Sequence, residues 1–306
     1  RGKMSRKILG KGFPRLDALE KVTGAAQYTI DLKMPGMSYG KILRSPVPHA
    51  KIKSIDISKA EALKGVHAVI TAKDVPLDKF AFFQWGADKT ILCSDKVRYV
   101  GDEVAAVCAV DKDTAEEAVE LIKVEYDSLP AVYDSEEAMK PDAPILHDGE
   151  SNVCFEVDRV VGDLDKAFEE CDYVSEDRFV TDKVCHCCME VHNCVVKWDH
   201  NERVTVWTNA QAPHTQRQEI ARILGIEQKQ VRIISSHMGG GFGSKLVTDM
   251  KVPIAAILSK KNPVDRFGFR IQERKNLQRL RPVMATPCMS KLVPRKTVDF
   301  GPGRSG

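Results

Sequence analysis

Apolar positions over residues 24–57 come in short runs interrupted by Pro35, Pro46 and Pro48, which predicts several brief extended pieces. Ile57–Leu63 then reads as a helix, and the segment VHAVITAKD from Val66 reads as a strand and a turn. The run Val104–Val110, VAAVCAV, is continuously apolar and of strand length. Asp113 stands where a helix N-cap would, with Glu116 three residues on as its capping-box partner. The helix TAEEAVELI that follows places Ala115, Ala118, Val119 and Ile122 on one face. KVEYDSLP then reads as a strand ended by Pro130, and this strand–helix–strand unit closes a mixed α/β domain, residues 11–135.

Pro141, Pro144, Gly149 and Asn152 mark residues 136–160 as a crossing segment. The second unit, residues 136–260, continues with a helix at Leu164–Cys171 and a strand at Tyr173–Val180. Extended pieces follow at Cys188–Trp198 and Arg203–Thr208, then a helix at His214–Leu224 that ends at Gly225. Val231–Ser235 reads as a strand that runs into Gly239-Gly240-Gly241-Phe242-Gly243 and an apolar helix over Lys251–Leu258. The fold class expected is α+β, or mixed α/β.

Three motifs are candidates for chemistry. A strand, a glycine turn and a helix in that order can bind an anion, because glycine lets the backbone approach and turn N–H groups donate. Gly239–Gly243 fits neither a P-loop, since Ser244 precedes Lys245, nor a dinucleotide fingerprint, since the third glycine falls one place early at Gly243. A plain tight turn stays open for it. Cys185–Cys194 packs six cysteine and histidine side chains into ten residues. Zinc is one reading, but structural zinc sites use paired ligands separated by a longer loop. On a strand alternate side chains would also face apart. Small buried cysteines lining a pocket are the other reading. In Trp207–His214, Gln211 precedes a proline-led helix start and would place an amide at the C-terminal end of the strands, where ligands collect in open α/β sheets. A solvent-facing loop glutamine is the alternative.

Composition narrows the class. With 43% hydrophobic and 29% charged residues the chain reads as globular, and no apolar run approaches the roughly 18 residues of a membrane span. The basic N-terminus has no apolar core or cleavage site, and Met4 is a candidate start. Nine cysteines, an odd number, fit a reducing compartment, so a cytoplasmic protein is expected. Residues 260–306 hold 12 Lys/Arg against 3 Asp/Glu, while the rest holds 34 against 40. That basic tail lacks interleaved aromatics, so neither nucleic acid nor a membrane is expected as a partner.

Taken together and in order, these pieces resemble the large, molybdopterin-binding subunit of the xanthine dehydrogenase/aldehyde oxidase family, the molybdenum hydroxylases. KGFPRLDALEKVTGAAQYTID (Lys11–Asp31), ILRSPVPHAKI (Ile42–Ile52), KVRYVGDEVAAV (Lys96–Val107) and VEYDSLPAV (Val124–Val132) resemble the family's α/β hammerhead domain. HCCMEVH (His186–His192) is similar to its H-x-P-M-E-P-H, with Cys188 and Val191 in place of proline. WTNAQAPH and MGGGFGSK (Met238–Lys245) resemble a strand end and a glycine loop beside the molybdenum. The fold this implies is a hammerhead domain followed by the first part of a molybdenum-cofactor-binding domain.

The resemblance implies that Gln211 approaches the metal's oxo ligand and the pterin, and that Gly240, Gly241, Phe242 and Gly243 cover the metal on another side, with no direct protein ligand. It implies a molybdenum–molybdopterin cofactor, a cytosine dinucleotide if the source is bacterial. [2Fe-2S] clusters and FAD would sit on partner subunits, an iron–sulfur subunit and an FAD subunit. The family hydroxylates an aldehyde, N-heterocycle or aromatic substrate with oxygen from water; a few members reduce an aryl-CoA. Leu246 stands where purine-oxidising members carry glutamate, so a less polar or CoA-linked small molecule is expected rather than xanthine. The family's base-bearing glutamate belongs to a segment that residues 261–306 do not resemble. Those residues read as a divergent tail from a truncated or frameshifted gene, and the chain alone as inactive. Two other functions compete: a non-catalytic module that docks partner subunits, and a zinc module built on Cys185–Cys194.

Overall fold

The computed structural model describes residues 9–80, 88–147, 161–173, 185–262 and 269–273, with positions 149, 151–153, 156 and 159. Among them the short N-terminal helix α1 (Ala18–Val22) buries none of its residues. The proline-broken segment forms strands β1 (Ser38–Arg44) and β2 (Ala50–Asp56), then helix α2 (Ser58–Ala62) and strand β3 (Val66–Ile70). A two-residue strand β4 (Lys96–Val97) precedes β5 (Glu103–Ala109), α3 (Lys112–Leu121) and β6 (Lys123–Ser128). Helices α4 (Ser135–Ala138) and α5 (Leu164–Glu169) flank the crossing segment. The predicted strand at Tyr173–Val180 lies outside the described residues apart from Tyr173. Beyond it come β7 (His192–Trp198), β8 (Val204–Thr208), α6 (Pro213–Leu224), β9 (Val231–Ile234), α7 (Lys251–Lys261) and β10 (Phe269–Glu273).

Two sheets organise these elements. Seven strands run in the order β3-β5-β1-β10-β7-β8-β9, and three in the order β4-β2-β6. The strand–helix–strand unit read from the sequence is therefore split, with β5 in the large sheet and β6 in the small one. Every residue of β5 is buried, which explains its unbroken apolar run. Ala106 and Cys108 belong to the main core with α6 and α7, while Ala105 and Val107 pack with Ala60, Ala118 and Ile122 of the α2–α3 side. A smaller cluster of Ala50, Cys93, Val97 and Val104 joins the two sheets.

The cap of α3 differs from expectation. The helix begins two residues earlier, so Asp111 is the N-cap and accepts from the Thr114 N–H at 2.7 Å. Asp113 falls inside the first turn, and Glu116 instead pairs with Lys41 at 2.7 Å. Helix α6 starts with Pro213 and ends at Gly225 with φ +66, as its sequence signals require. Helix α7 buries Val252, Ile254, Ala255, Ala256 and Leu258 and is apolar on nearly all sides, as befits a helix packed between layers.

Strand β10 is the less expected element. It lies in the region read as a divergent tail, yet it pairs parallel with β1 and antiparallel with β7 at the middle of the sheet. Ile271 is fully buried there and belongs to the main core.

Candidate cofactor-binding site

Topology brings three segments to one end of the large sheet. Strands β8 and β9 are parallel, so the turn after β8, which holds Gln211, lies beside the loop after β9, which holds Gly239–Gly243. Strand β7 is antiparallel to β8, so the residues before it, Cys185–Val191, reach the same end. The sheet thus places its ligand-accessible loops where open α/β sheets bind ligands.

Gln211 is fastened from several directions. Its backbone N–H donates to Lys245 O at 2.9 Å. Its Oε1 accepts from the backbone N–H groups of Gly243 and Lys245, each at 3.1 Å. A carboxamide oxygen fixed in this way leaves Nε2 as a donor with no partner among the described residues. Gly241 must be glycine for the contact, because a Cβ there would lie 2.6 Å from Gln211 Cδ.

The glycine loop presents a run of backbone donors. Gly240 and Gly243 have φ of +92 and +91, and Phe242, a non-glycine, has φ +51. Ser244 N–H donates to Gly241 O at 2.9 Å and Leu246 N–H to Gly243 O at 3.2 Å, closing the turn. The N–H groups of Gly240, Gly241 and Phe242 have no acceptor among the described residues. Successive free amides in such a turn form a nest for an anionic or oxo-bearing group. Together with Gln211 Nε2 they make a donor set that fits a cofactor with oxo and phosphate oxygens. Phe242 is 73% exposed and Leu246 39%, and Met189 on the facing segment is 98% exposed, so the rim of the nest is apolar.

Cys185–Cys194 is not one strand. Only from His192 onward is it extended, and the preceding residues turn against the glycine loop. Cys188 Sγ donates to Gly241 O at 3.4 Å, and His186 Nε2 lies 3.6 Å from where a Gly243 Cβ would be. Among the described residues no group of three or more His, Cys, Asp or Glu side chains is placed to hold a metal ion, so the zinc reading of this cluster gains no support. Its polar residues serve the loop instead.

Three polar contacts escaped the sequence reading. Glu190 and Lys245 form a buried ion pair at 2.8 Å, with side chains 6% and 1% exposed. His192 bridges Ser244 Oγ, 3.2 Å from Nε2, and Asp249 Oδ2, 3.1 Å from Nδ1. These partners stand 55, 52 and 57 residues apart in the chain, and no local pattern announces such pairing. The one available hint was the polar character of Glu190 and Lys245 inside otherwise apolar or glycine-rich segments. No described helix is long and apolar enough to cross a membrane.

Two family models match the chain. One, described as the aldehyde oxidase and xanthine dehydrogenase a/b hammerhead domain, covers residues 23–130. The other, a molybdopterin cofactor-binding domain, covers residues 146–266. Among curated relatives, the nicotinate dehydrogenase large molybdopterin subunit of Eubacterium barkeri is 38% identical over 86% of this chain and 62% of its own length. The carbon monoxide dehydrogenase large chain of Afipia carboxidovorans is 35% identical over 79% of this chain and 32% of its own. Among solved structures, quinoline 2-oxidoreductase from Pseudomonas putida 86 matches with a TM-score of 0.77 at 30% identity, over 87% of this chain and 34% of that one. The chain thus spans less than two thirds of the length of these relatives.

Proposed function

The chain belongs to the xanthine dehydrogenase/aldehyde oxidase family of molybdenum hydroxylases, and from that premise we propose that its glycine loop and Gln211 bind a molybdenum–molybdopterin cofactor for oxidation of a small, weakly polar substrate. The observation that carries this reading is the donor set: three consecutive free amides at Gly240, Gly241 and Phe242 beside a carboxamide whose oxygen is already committed. When bound, the cofactor supplies the redox chemistry. The residues of this chain orient it and surround it with fixed donors. Gln211 Nε2 would donate to an oxygen of the bound cofactor, the loop amides would hold it from another side, and Phe242 would keep water from that side.

The substrate class follows from the rim. Leu246, directly after Lys245, and the exposed Phe242 and Met189 offer no partner to a polar ring edge. A buried polar substrate edge without partners is strongly disfavoured, so an aldehyde, a simple N-heterocycle, an aromatic ring or an aryl-CoA suits this rim better than xanthine. The base and the remaining pterin contacts come from parts of the fold that this chain does not match. Iron–sulfur and FAD subunits complete the electron path, in the cytoplasm.

Co-expression with a molybdenum-cofactor biosynthesis system tests the reading. Metal analysis and pterin fluorescence of the purified chain are expected to show molybdenum and pterin in matching amounts, and Gln211→Ala to lower both at least tenfold. A wild-type chain free of both metal and pterin, while folded, would sink it and favour a docking module. Stoichiometric zinc surviving dialysis would favour the zinc module.

A further inference from the structure

We propose that the buried Glu190–Lys245 ion pair is a positioning device that holds the glycine loop in the one shape that leaves its amides free. It rests on the reading of that loop as a cofactor site. The loop begins at Gly239 and ends at Lys245, and both ends are fastened to Glu190. The Glu190 backbone N–H donates to Gly239 O at 3.2 Å, and Gly239 N–H donates to Glu190 Oε2 at 2.8 Å. Lys245 Nζ donates to Glu190 O at 3.1 Å and to the same Oε2 at 2.8 Å. Gly239 approaches so closely that a Cβ there would lie 2.6 Å from Glu190 Cβ. The loop is therefore pinched shut at its base by one residue, and Lys245 O is further held by Gln216 Nε2 at 2.9 Å.

Such a pair is a poor way to gain stability. Removing two charges from water offsets most of their attraction, and apolar residues of similar volume are often as stable or more so. What apolar residues cannot do is tie both ends of a loop to a single carboxylate. Among the described residues Glu190 Oε1 is buried without a hydrogen-bond partner, a further cost that space-filling alone does not explain. The pair's contribution is geometric. It fixes the loop before any ligand arrives, so that Gly240, Gly241 and Phe242 donate outward and do not turn back onto carbonyls of the loop. Neither Glu190 nor Lys245 touches the cofactor; both act through the backbone.

The full chain tests this in four variants: Glu190→Ala, Glu190→Gln, Lys245→Met and the paired Glu190→Met/Lys245→Met. Thermal unfolding, hydrogen exchange of the segment 239–246 and pterin retention are the readouts. The single Ala and Met variants are expected to lower the melting temperature by several degrees. The paired variant is expected to recover it, yet to exchange at least tenfold faster over 239–246 and to retain at least tenfold less pterin. Glu190→Gln, which keeps an acceptor for Gly239 N–H, is expected to protect the loop better than Glu190→Ala. Wild-type exchange over 239–246 in both the paired variant and Glu190→Ala overturns the proposal, and if the paired variant does not fold, Glu190→Ala against Glu190→Gln decides alone. A wild-type chain that binds no pterin would refute the cofactor reading, while the exchange results still judge the pair.

Discussion

A phenylalanine at φ +51 bears a backbone cost of about 1–2 kcal/mol that a glycine would not. Phe242 recovers little of it by burial, since 73% of it is exposed. Strain of this kind, held next to free amides, marks a position kept for its side chain and not for the fold. Phe242→Gly is expected to leave stability unchanged or raise it by up to about 1 kcal/mol, read from urea unfolding, while weakening pterin retention. Gly241→Ala should do the opposite to stability. Its Cβ meets the Gln211 carboxamide, and overpacking of this kind costs about 1–3 kcal/mol. Asp102 offers a pH test away from the site. Burial first, and the neighbouring Glu103 second, push its carboxyl above the usual carboxylate range. The folded chain therefore holds this proton to higher pH than the unfolded chain does. The contribution of Asp102 to stability is complete below about pH 4 and is lost as pH rises through the raised value. Asp102→Asn keeps an acceptor for the Arg98 N–H, 3.0 Å away. It should flatten the fall of the urea midpoint as pH rises above about 4; an unchanged slope would show that other groups set it.

Elements were legible in proportion to how local their causes are. Helix α6 was readable because Pro213 and Gly225 punctuate it, and β5 because every one of its residues is buried. The cap of α3 was misplaced by two residues because Asp111 and Asp113 are both competent caps and only the turn geometry chooses between them. Asp111→Ala is expected to cost about 0.5–2 kcal/mol and Asp113→Ala a few tenths, a contrast that thermal unfolding can resolve. Strand β10 was missed altogether. Its buried residues Arg270 and Ile271 sit between β1 and β7, whose sequences lie far away. At the candidate site, Gln211 and the glycines were visible as motifs, whereas Glu190, Lys245, His192 and Asp249 are joined only by tertiary contacts. Helix α7 was visible as an apolar run. Ile254→Ala, at a fully buried position there, should cost about 2–5 kcal/mol.

At the scale of the molecule, the sequence divides the chain into two units, residues 11–135 and 136–260, and one sheet runs through both. Strand β10 bridges β1 of the first unit and β7 of the second, and one core contains Ile42, Ile70 and Ala106 as well as Val206, Ile254 and Ile271. One cooperative transition is expected for the intact chain. A variant ending at residue 262 would leave β1 and β7 with unpaired edges in the middle of the sheet. It should unfold in two steps and bind a hydrophobic dye, and a single transition in that variant would count against the bridging role of β10.

The central place of β10 also has a consequence for biosynthesis. Its partner Gly40 is translated 231 residues before Ile271. At about 5–20 residues per second a ribosome takes about 10–50 s to cover that distance. Throughout that interval β1 carries an edge whose partner does not yet exist, joined towards its end by the edge of β7, which is when a holding chaperone would matter most to it.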